Sequence, residues 1–112
     1  MVVSAPLFNG PNSMSLSPGQ KKYLRSLGHS LKPVVMIGSA GVTTAVISEL
    51  NSALDHHELV KVKVRTGERS DREAMVESLC EATGADLVQR IGHMALLYRP
   101  DPETPSIRLP RS

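Results

Sequence analysis

The spacing of apolar residues in the first third of the chain predicts a helix followed by a strand. Ser17 and Pro18 are typical of a helix start, and apolar residues then recur at helical spacing as far as Leu31. Lys32–Pro33 breaks this helix. Val34–Ile37 is an uninterrupted apolar run of the kind found in buried strands. The sequence therefore predicts that the first helix ends near Leu31 and that the first strand is buried.

The next segment changes from helical spacing to strict alternation. Thr43 or Thr44 can cap a second helix, whose apolar side comprises Val46, Ile47, Leu50, Ala53 and Leu54. The helix fades at residues 55–58, and the sequence LVKVKVR then alternates with period two. One face of this second strand carries valines and the other carries cations: Val60, Val62 and Val64 against Lys61, Lys63 and Arg65. We expect the valine face to be buried.

The last elements are a third helix and a hairpin. The sequence SDRE at Ser70–Glu73 predicts a capping box that opens the helix, and Gly84 ends it. Two short strands follow at residues 87–91 and 94–98, joined by a tight turn at Gly92–His93. The C-terminal half of the chain therefore adds one helix and two antiparallel strands.

This order of elements predicts the fold class. The chain has 112 residues, the size of one domain. Helix, strand, helix, strand, helix, strand, strand indicates a single compact α/β domain, order α-β-α-β-α-β-β, with a four-stranded mixed sheet whose first two strands are parallel through a right-handed crossover. We expect a flexible tail at residues 1–15, the domain at residues 16–100, and an extended Pro-rich tail at residues 101–112.

Histidine and cysteine are the obvious candidates for chemistry, and they form no recognisable site in the sequence. His56 and His57 are adjacent, so on a helix they point about 100° apart and suit a polar helix end better than a shared metal. Cys80 lies on the apolar side of the third helix and is expected to be a small core residue. No nucleophile elbow, zinc-ligand pair or phosphate-binding lysine motif is present. We expect no catalysis, no metal and no cofactor.

The cysteine count and the lengths of the apolar runs indicate in which cellular compartment the protein is expected. A single cysteine excludes an internal disulfide and suits a reducing environment. No run of about 18 apolar residues is present, and the first residues lack the basic start of a signal peptide. We therefore expect a cytoplasmic monomer that does not enter a membrane.

The loop after the first strand is the best candidate for a binding site. It comprises Gly38, Ser39, Ala40 and Gly41 and connects a strand to a helix. Taken alone, two glycines three residues apart indicate no more than a sharp turn. Such small residues also let a phosphate approach free N–H groups at a helix N-terminus. The loop lacks the third glycine and the acidic residue of a dinucleotide site, so a phosphate polymer is the remaining ligand.

The distribution of charge favours that polymer. The net charge is only +2, but residues 14–65 hold seven basic and three acidic residues, whereas residues 66–112 hold six and eight. The basic residues form two groups: Lys21, Lys22 and Arg25 on one side of the first helix, and Lys61, Lys63 and Arg65 on the second strand. Either group could simply face solvent. Beside a phosphate-binding loop, they favour contact with an RNA or DNA backbone, and the scarcity of aromatic residues argues against base stacking.

Three stretches resemble the CRM domain of small YhbY-like bacterial proteins, a domain that recurs in plant chloroplast splicing factors. They are LSPGQKKYLRSLGHSLKPVVMIGSAGVT, ELNSALDHHELVKVKV and ATGADLVQRIGHMALLYRP. The resemblance spans about residues 16–110. It implies RNA binding, association with precursors of the large ribosomal subunit, no catalysis, and a fold similar to the C-terminal domain of translation initiation factor three.

The same resemblance assigns site residues. The family's conserved loop falls on Gly38–Gly41, and its basic surface includes Lys21, Lys22, Arg25 and Lys32. Members commonly carry a lysine inside the loop, where this chain has Ser39 and Ala40. Backbone N–H groups and neighbouring cations, including Lys61 and Lys63, would then hold the phosphates.

We therefore expect a non-enzymatic protein that binds ribosomal RNA and assists large-subunit assembly. One alternative is a protein-interaction module that docks a partner through the exposed strand face or the Pro-rich tail. A second alternative, an RNA-modifying enzyme, would need a cofactor site or a general base, and the sequence offers neither.

Overall fold

The helices and strands follow the predicted order. The computed structural model describes residues 16–110, and their elements are α1 (Pro18–Gly28), β1 (Pro33–Ile37), α2 (Thr44–His57), β2 (Leu59–Val64), α3 (Arg69–Thr83), β3 (Asp86–Ile91) and β4 (Met94–Tyr98). The expected flexible tail at residues 1–15 and the last two residues of the expected C-terminal tail lie outside this range. The predicted α/β fold with three helices and four strands is confirmed.

The sheet is mixed, with the strand order β1-β2-β4-β3. The strands β1 and β2 are parallel, and β4 pairs antiparallel with both β2 and β3. Parallel strands end at the same side of a sheet, so the loops after β1 and β2 lie together with the β3–β4 turn. Two hydrogen bonds join them: Arg65 N–H donates to Ile37 O at 2.9 Å, and Val64 N–H donates to His93 O at 2.7 Å. We call this side of the molecule, residues 38–43, 65–68 and 92–93, the loop end.

One face of the sheet is fully covered. The helices α2 and α3 pack on it, and its side chains form the main core with Leu50, Leu54, Val76 and Leu79 of these helices. Val60, Val62 and Val64 are no more than 1 % exposed, which confirms the predicted buried face of β2. Burial of such aliphatic side chains is the dominant favourable contribution to folding.

The other face is covered only in part, by α1 and by Ile107 and Leu109 after β4. Ser17 caps this helix by accepting from the Gln20 N–H, as the sequence predicts. The helix ends at Gly28, so the prediction that it continues to Leu31 is wrong. A Cβ at Gly28 would lie 2.5 Å from Leu96 Cδ2, so the glycine lets the helix rest directly on β4. Leu31 instead folds back through an N–H bond to Gly28 O and is exposed.

The prediction that β1 is buried is half wrong. Val35 and Ile37 are inaccessible, but Val34 is 51 % exposed and Met36 is 50 % exposed. The reason is that β1 is an outer strand and α1 packs against β2 and β3 instead. An apolar run fits a strand with one open face as well as a strand with two covered faces, so the sequence alone could not separate them.

Two helix starts refine the sequence reading. Thr43, not Thr44, caps α2, because its Oγ1 accepts from the Val46 N–H at 3.1 Å. The predicted capping box of α3 at Ser70 is wrong, since the helix begins at Arg69 with Glu68 as its N-cap residue. The Glu68 N–H donates to Asp71 Oδ2 at 3.1 Å. The start of α3 therefore lies two residues earlier than the sequence pattern indicates.

Residues after β4 are held against the domain by one buried carboxylate. Glu58 ends α2 with a φ of 63° and is 2 % exposed. Its Oε2 accepts from the Asp101 N–H at 2.6 Å, and its Oε1 accepts from the N–H groups of Ser106 and Ile107 at 2.9 and 2.8 Å. Three charge-assisted hydrogen bonds compensate for burying this charge. Residues 101–107 therefore fold around Glu58.

Candidate nucleic-acid interface

The turn at Gly38–Gly41 is open to solvent on the loop end. Gly41 N–H donates to Gly38 O at 3.0 Å and closes the turn, and Ser39 and Ala40 at its tip are exposed. Gly41 has a φ of +75°, a conformation that glycine adopts without strain, whereas Gly38 has an ordinary φ. Apart from the adjoining residues of the chain, no heavy atom lies within 4 Å of a Cβ built at either glycine. The turn therefore leaves space for a ligand against its backbone.

The same turn leads into the N-terminus of α2, which has 14 residues. Within residues 16–110, neither the Ser39 N–H nor the Ala40 N–H donates to a protein acceptor. Thr43 satisfies one N–H of the first helical turn, that of Val46. Free N–H groups at a helix N-terminus carry partial positive charge, and such groups favour an anion.

The cations of β2 lie along the strand beside β1, with Lys63 nearest to this turn. Lys61 and Lys63 project from the open face, because the valines on either side of them project into the core. Arg65 follows the strand directly and is exposed. The backbone of Arg65 is bonded to Ile37, the residue before the turn. Neither Lys61 nor Lys63 forms an ion pair with any carboxylate of the described residues. These cations are therefore available to an external anion.

Lys32 joins this group from the start of β1. A cavity of about 420 Å³ lies between the end of α1 and β1, and Lys32 and Lys61 both line it together with apolar residues such as Leu27, Leu31 and Val34. Lys32 precedes Pro33, and Pro33 pairs with Lys61 across the sheet. The structure thus brings Lys32, Lys61 and Lys63 to one open half of the sheet, with Gly38–Gly41 at its end.

The cations of α1 lie apart from the turn. Lys21 and Lys22 precede Gly28 by about two helical turns, toward the side of the sheet where Leu59 pairs with Tyr98. The turn at Gly38–Gly41 follows the opposite end of β1. Lys21 and Arg25 share one flank of the helix, while Leu27 on another flank lines the cavity beside β1. The structure therefore divides the predicted basic surface into two groups.

Two features beside the loop end were not predicted from the sequence. Arg69, Arg72 and Arg90 line a cavity of about 380 Å³ with Gly92. Glu73 Oε2 contacts Arg69 Nε at 3.3 Å and Arg90 Nη2 at 2.9 Å, so part of this positive charge is neutralised internally. The second feature is a set of exposed apolar side chains, including Met36 and Ile91, beside the cations of β2. Arg69 and Arg72, one helical turn apart, were the sequence signal for the first feature.

Cys80 and His56 were the candidates for chemistry in the sequence. Cys80 packs against the main core, and burial together with nearby Asp86, Glu77 and Glu81 raises the pKa of its thiol to about 11. A thiol with so high a pKa is a poor nucleophile at neutral pH. His56 Nδ1 lies 2.8 Å from Ser52 O, at the end of α2. Within residues 16–110 no three histidine, cysteine, aspartate or glutamate side chains are grouped to hold a metal ion.

Across the part of the chain that the structure describes, every helix is too short or too polar to cross a bilayer.

Similar proteins share this domain across most of the chain. Residues 16–99 match the family model of the CRS1 / YhbY (CRM) domain. The chain is 49% identical over 90 residues to a "Probable RNA-binding protein" of Pseudomonas aeruginosa, an alignment that covers 80% of this chain and 86% of the relative. It is 45% identical over 97 residues to an "RNA-binding protein" of Haemophilus influenzae, covering 87% of this chain and 97% of the relative.

A solved structure agrees with the fold. The solution structure of a hypothetical Staphylococcus aureus protein, proposed to bind RNA, matches with a TM-score of 0.74 at 40% identity. The match covers 85% of this chain and 99% of that protein. Because the family model, the relatives and the solved structure agree over nearly the same residues, the chain belongs to the CRS1/YhbY (CRM) domain family.

Proposed function

We propose that this protein is a non-enzymatic RNA-binding protein of the cytoplasm that binds ribosomal RNA in precursors of the large subunit and assists their assembly as a monomer. The observation that carries the proposal is the loop end: an exposed Gly38–Gly41 turn with free N–H groups, beside lysines that have no carboxylate partner within residues 16–110. The relatives named as RNA-binding proteins support an RNA ligand.

The proposed contact has two parts. The N–H groups of the turn and the N-terminus of α2 bind one phosphate, and Lys61, Lys63 and Lys32 bind the phosphates that follow along the open half of the sheet. A second contact is formed on α1 by Lys21, Lys22 and Arg25. Only an RNA long enough to extend from the turn around α1 reaches these residues. A lysine is not required inside the turn in this arrangement, since the neighbouring strand supplies the charge.

Two aspartates in the turn test this assignment. The double change Ser39→Asp and Ala40→Asp keeps both glycines, so the turn and the fold should survive. At an effective dielectric constant near 20, a charge about 6 Å from a phosphate is repelled by about 3 kcal/mol before salt screening. We expect RNA affinity, measured by fluorescence anisotropy at low salt, to fall at least about tenfold.

A matched control adds the same charge elsewhere. Ser78 and Ala82 are exposed on α3, which packs on the opposite face of the sheet. Changing both to Asp should leave RNA affinity within about twofold, because both positions lie more than two helical turns along α3 from its start at the loop end, about 13 Å or more, and a Debye length is about 10 Å. Equal losses in both double variants would indicate a general charge effect and remove the turn from the binding site.

The ribosomal part of the proposal needs a separate experiment. Lysate should be sedimented through a sucrose gradient at low and high salt, and the protein should be found with large-subunit precursors at low salt. High salt should release it, because phosphate contacts weaken steeply with salt concentration. Absence from every ribosomal and pre-ribosomal fraction at low salt would count against a role in assembly while leaving RNA binding intact.

A further inference from the structure

A row of side chains crosses the open face of the sheet directly beside the Gly38–Gly41 turn. Met36 of β1 pairs with Lys63 of β2, Lys63 pairs with Met94 of β4, and Met94 pairs with Ile91 of β3. Three of these four side chains are apolar. Met36 is 50 % exposed and Ile91 is 63 % exposed. We call these four residues the apolar row.

The end of α1 explains why the apolar row stays open. The helix stops at Gly28, which rests on Leu96, and Leu96 pairs with Lys61 rather than with Lys63. The helix therefore covers the part of the sheet farther from the turn and stops before the row. A cavity of about 210 Å³ marks this boundary and is lined by Gly28, Lys61, Ile91 and Met94, among others. The row spans three strand spacings, about 14 Å in all.

The chemistry of the row indicates what binds there. Lys63 stands between the two methionines, and within residues 16–110 it has no carboxylate partner. A purely apolar partner would bury this ammonium group without a counter-charge, which is costly. An RNA strand offers both an apolar surface for the methionines and a negative charge for Lys63, because each nucleotide joins an apolar base face to a phosphate. Methionine is suited to the apolar part, since its flexible, polarizable thioether adapts to flat surfaces.

We propose that the apolar row seats unpaired bases of an RNA strand whose phosphates are bound by the Gly38–Gly41 turn and Lys63. The preferred ligand is then single-stranded RNA, a loop or a bulge, because base faces in an A-form duplex are stacked inside and cannot reach a protein surface. Stacking on aromatic residues is not involved. This inference rests on the proposed RNA-binding function and specifies the class of RNA.

The test compares two protein variants on matched RNA strands. Met36→Gln with Ile91→Gln removes apolar surface without changing charge, while Met36→Leu with Ile91→Leu keeps it. The strands are a single-stranded RNA of about a dozen nucleotides, the same strand with abasic sites at its centre, and the corresponding duplex. Circular dichroism should first show that both variants are folded, as expected for changes at exposed positions.

The wild-type protein should bind the intact single strand about fivefold more tightly than the abasic strand, and more tightly than the duplex. The leucine variant should keep this preference. The glutamine variant should bind intact and abasic strands within about twofold of each other, while the salt dependence of its binding stays unchanged because no cation is lost.

The contrary outcomes are distinct. Equal wild-type affinity for intact and abasic strands, or the same base preference in the glutamine variant, would overturn the proposal that the apolar row binds bases. The proposed RNA binding would be unaffected. Failure of the wild-type protein to bind any of the three RNAs would overturn both the proposed function and the proposal that the apolar row binds bases. A wild-type dimer in sedimentation that the glutamine variant dissociates, with RNA binding unchanged, would assign the row to contact between two copies and overturn the proposal.

Discussion

The two faces of the sheet differ in how completely the helices of the protein cover them. On one face, α2 and α3 cover all four strands, and the side chains between them form the main core. On the other face, α1 covers β3, β4 and the neighbouring part of β2, and leaves Val34 and Met36 of β1 half-exposed. Folding therefore requires only one complete face, and half of the second is available for a ligand.

The strand β2 shows this difference between adjacent residues. Val62 is inaccessible and packs in the main core, while Lys61 and Lys63 on either side of it project from the open face. Successive side chains of a β-strand project from opposite faces of the sheet, so one residue can pack in the core while the next remains available to a ligand. Substitution on one side should change stability, and substitution on the other should change binding.

The largest effect is expected at Val62. The change Val62→Asp buries a carboxylate without a partner, which costs several kcal/mol and should unfold much of the domain. The matched change Lys63→Asp places the same side chain on the open face and should lower stability by less than about 1 kcal/mol. Thermal melting followed by circular dichroism measures both. Equal melting temperatures for the two variants would mean that the assignment of the buried face is wrong.

A smaller loss of stability is expected at Glu58. Removing its carboxylate in Glu58→Ala leaves the N–H groups of Asp101, Ser106 and Ile107 without their acceptor, and we expect a loss of about 3 kcal/mol. Glu58→Gln keeps one oxygen acceptor and should lose less. Urea unfolding measures the free energy, and amide exchange should become faster at these three residues.

Glu103 provides the control for this change, because it is exposed on the same segment. The change Glu103→Ala should leave the free energy of unfolding within about 0.5 kcal/mol of wild type. If Glu58→Ala were equally harmless, residues 101–107 would be held by other contacts, such as those of Ile107 with the α1 side of the sheet.

The sequence predicted the order of the elements because each carries a local signal. Alternation identified β2, Ser17 and Pro18 identified the start of α1, and Gly84 identified the end of α3. The exposure of Val34 and Met36 has no local signal. It follows from where α1 ends and packs on the sheet, and that contact involves Leu96, a residue far along the chain.

The candidate site was predictable to a similar extent. The two glycines of the turn and the cations of β2 are visible in the sequence, although their role in RNA binding stays a prediction. The apolar row was not visible, since Met36, Lys63, Met94 and Ile91 meet only through the register of three strand pairs. Glu58 was also missed, because in sequence it looked like one more polar residue at a helix end.

On the open face, we expect an effect on binding without an effect on stability. The double change Lys61→Gln and Lys63→Gln should weaken RNA binding about tenfold near 0.1 M salt, and lower the slope of log affinity against log salt by about 1.4 for a single strand. The melting temperature should change little. Lys21→Gln with Lys22→Gln is the matched control: it should weaken binding of a long RNA but leave a short oligonucleotide unaffected. An unchanged salt slope in the first variant would place the phosphates elsewhere.

The smallest expected effect concerns Cys80 on the covered face. Burial raises the pKa of its thiol from 9.0 to about 11, so the unfolded chain loses this proton first as the pH rises. The stabilisation is therefore fully present below pH 9 and is lost as the pH approaches 11. Because the side chain is only partly buried, we expect wild type to lose about 0.5 kcal/mol more than Cys80→Ser between pH 8 and pH 10. Burial also raises the pKa of Tyr98, but that residue is common to both proteins and cancels in the comparison. Urea unfolding at the two pH values measures the difference. Parallel losses in the two proteins would mean that the thiol is as accessible in the folded protein as in the unfolded chain, and that the cover provided by α3 is looser than that over Val62.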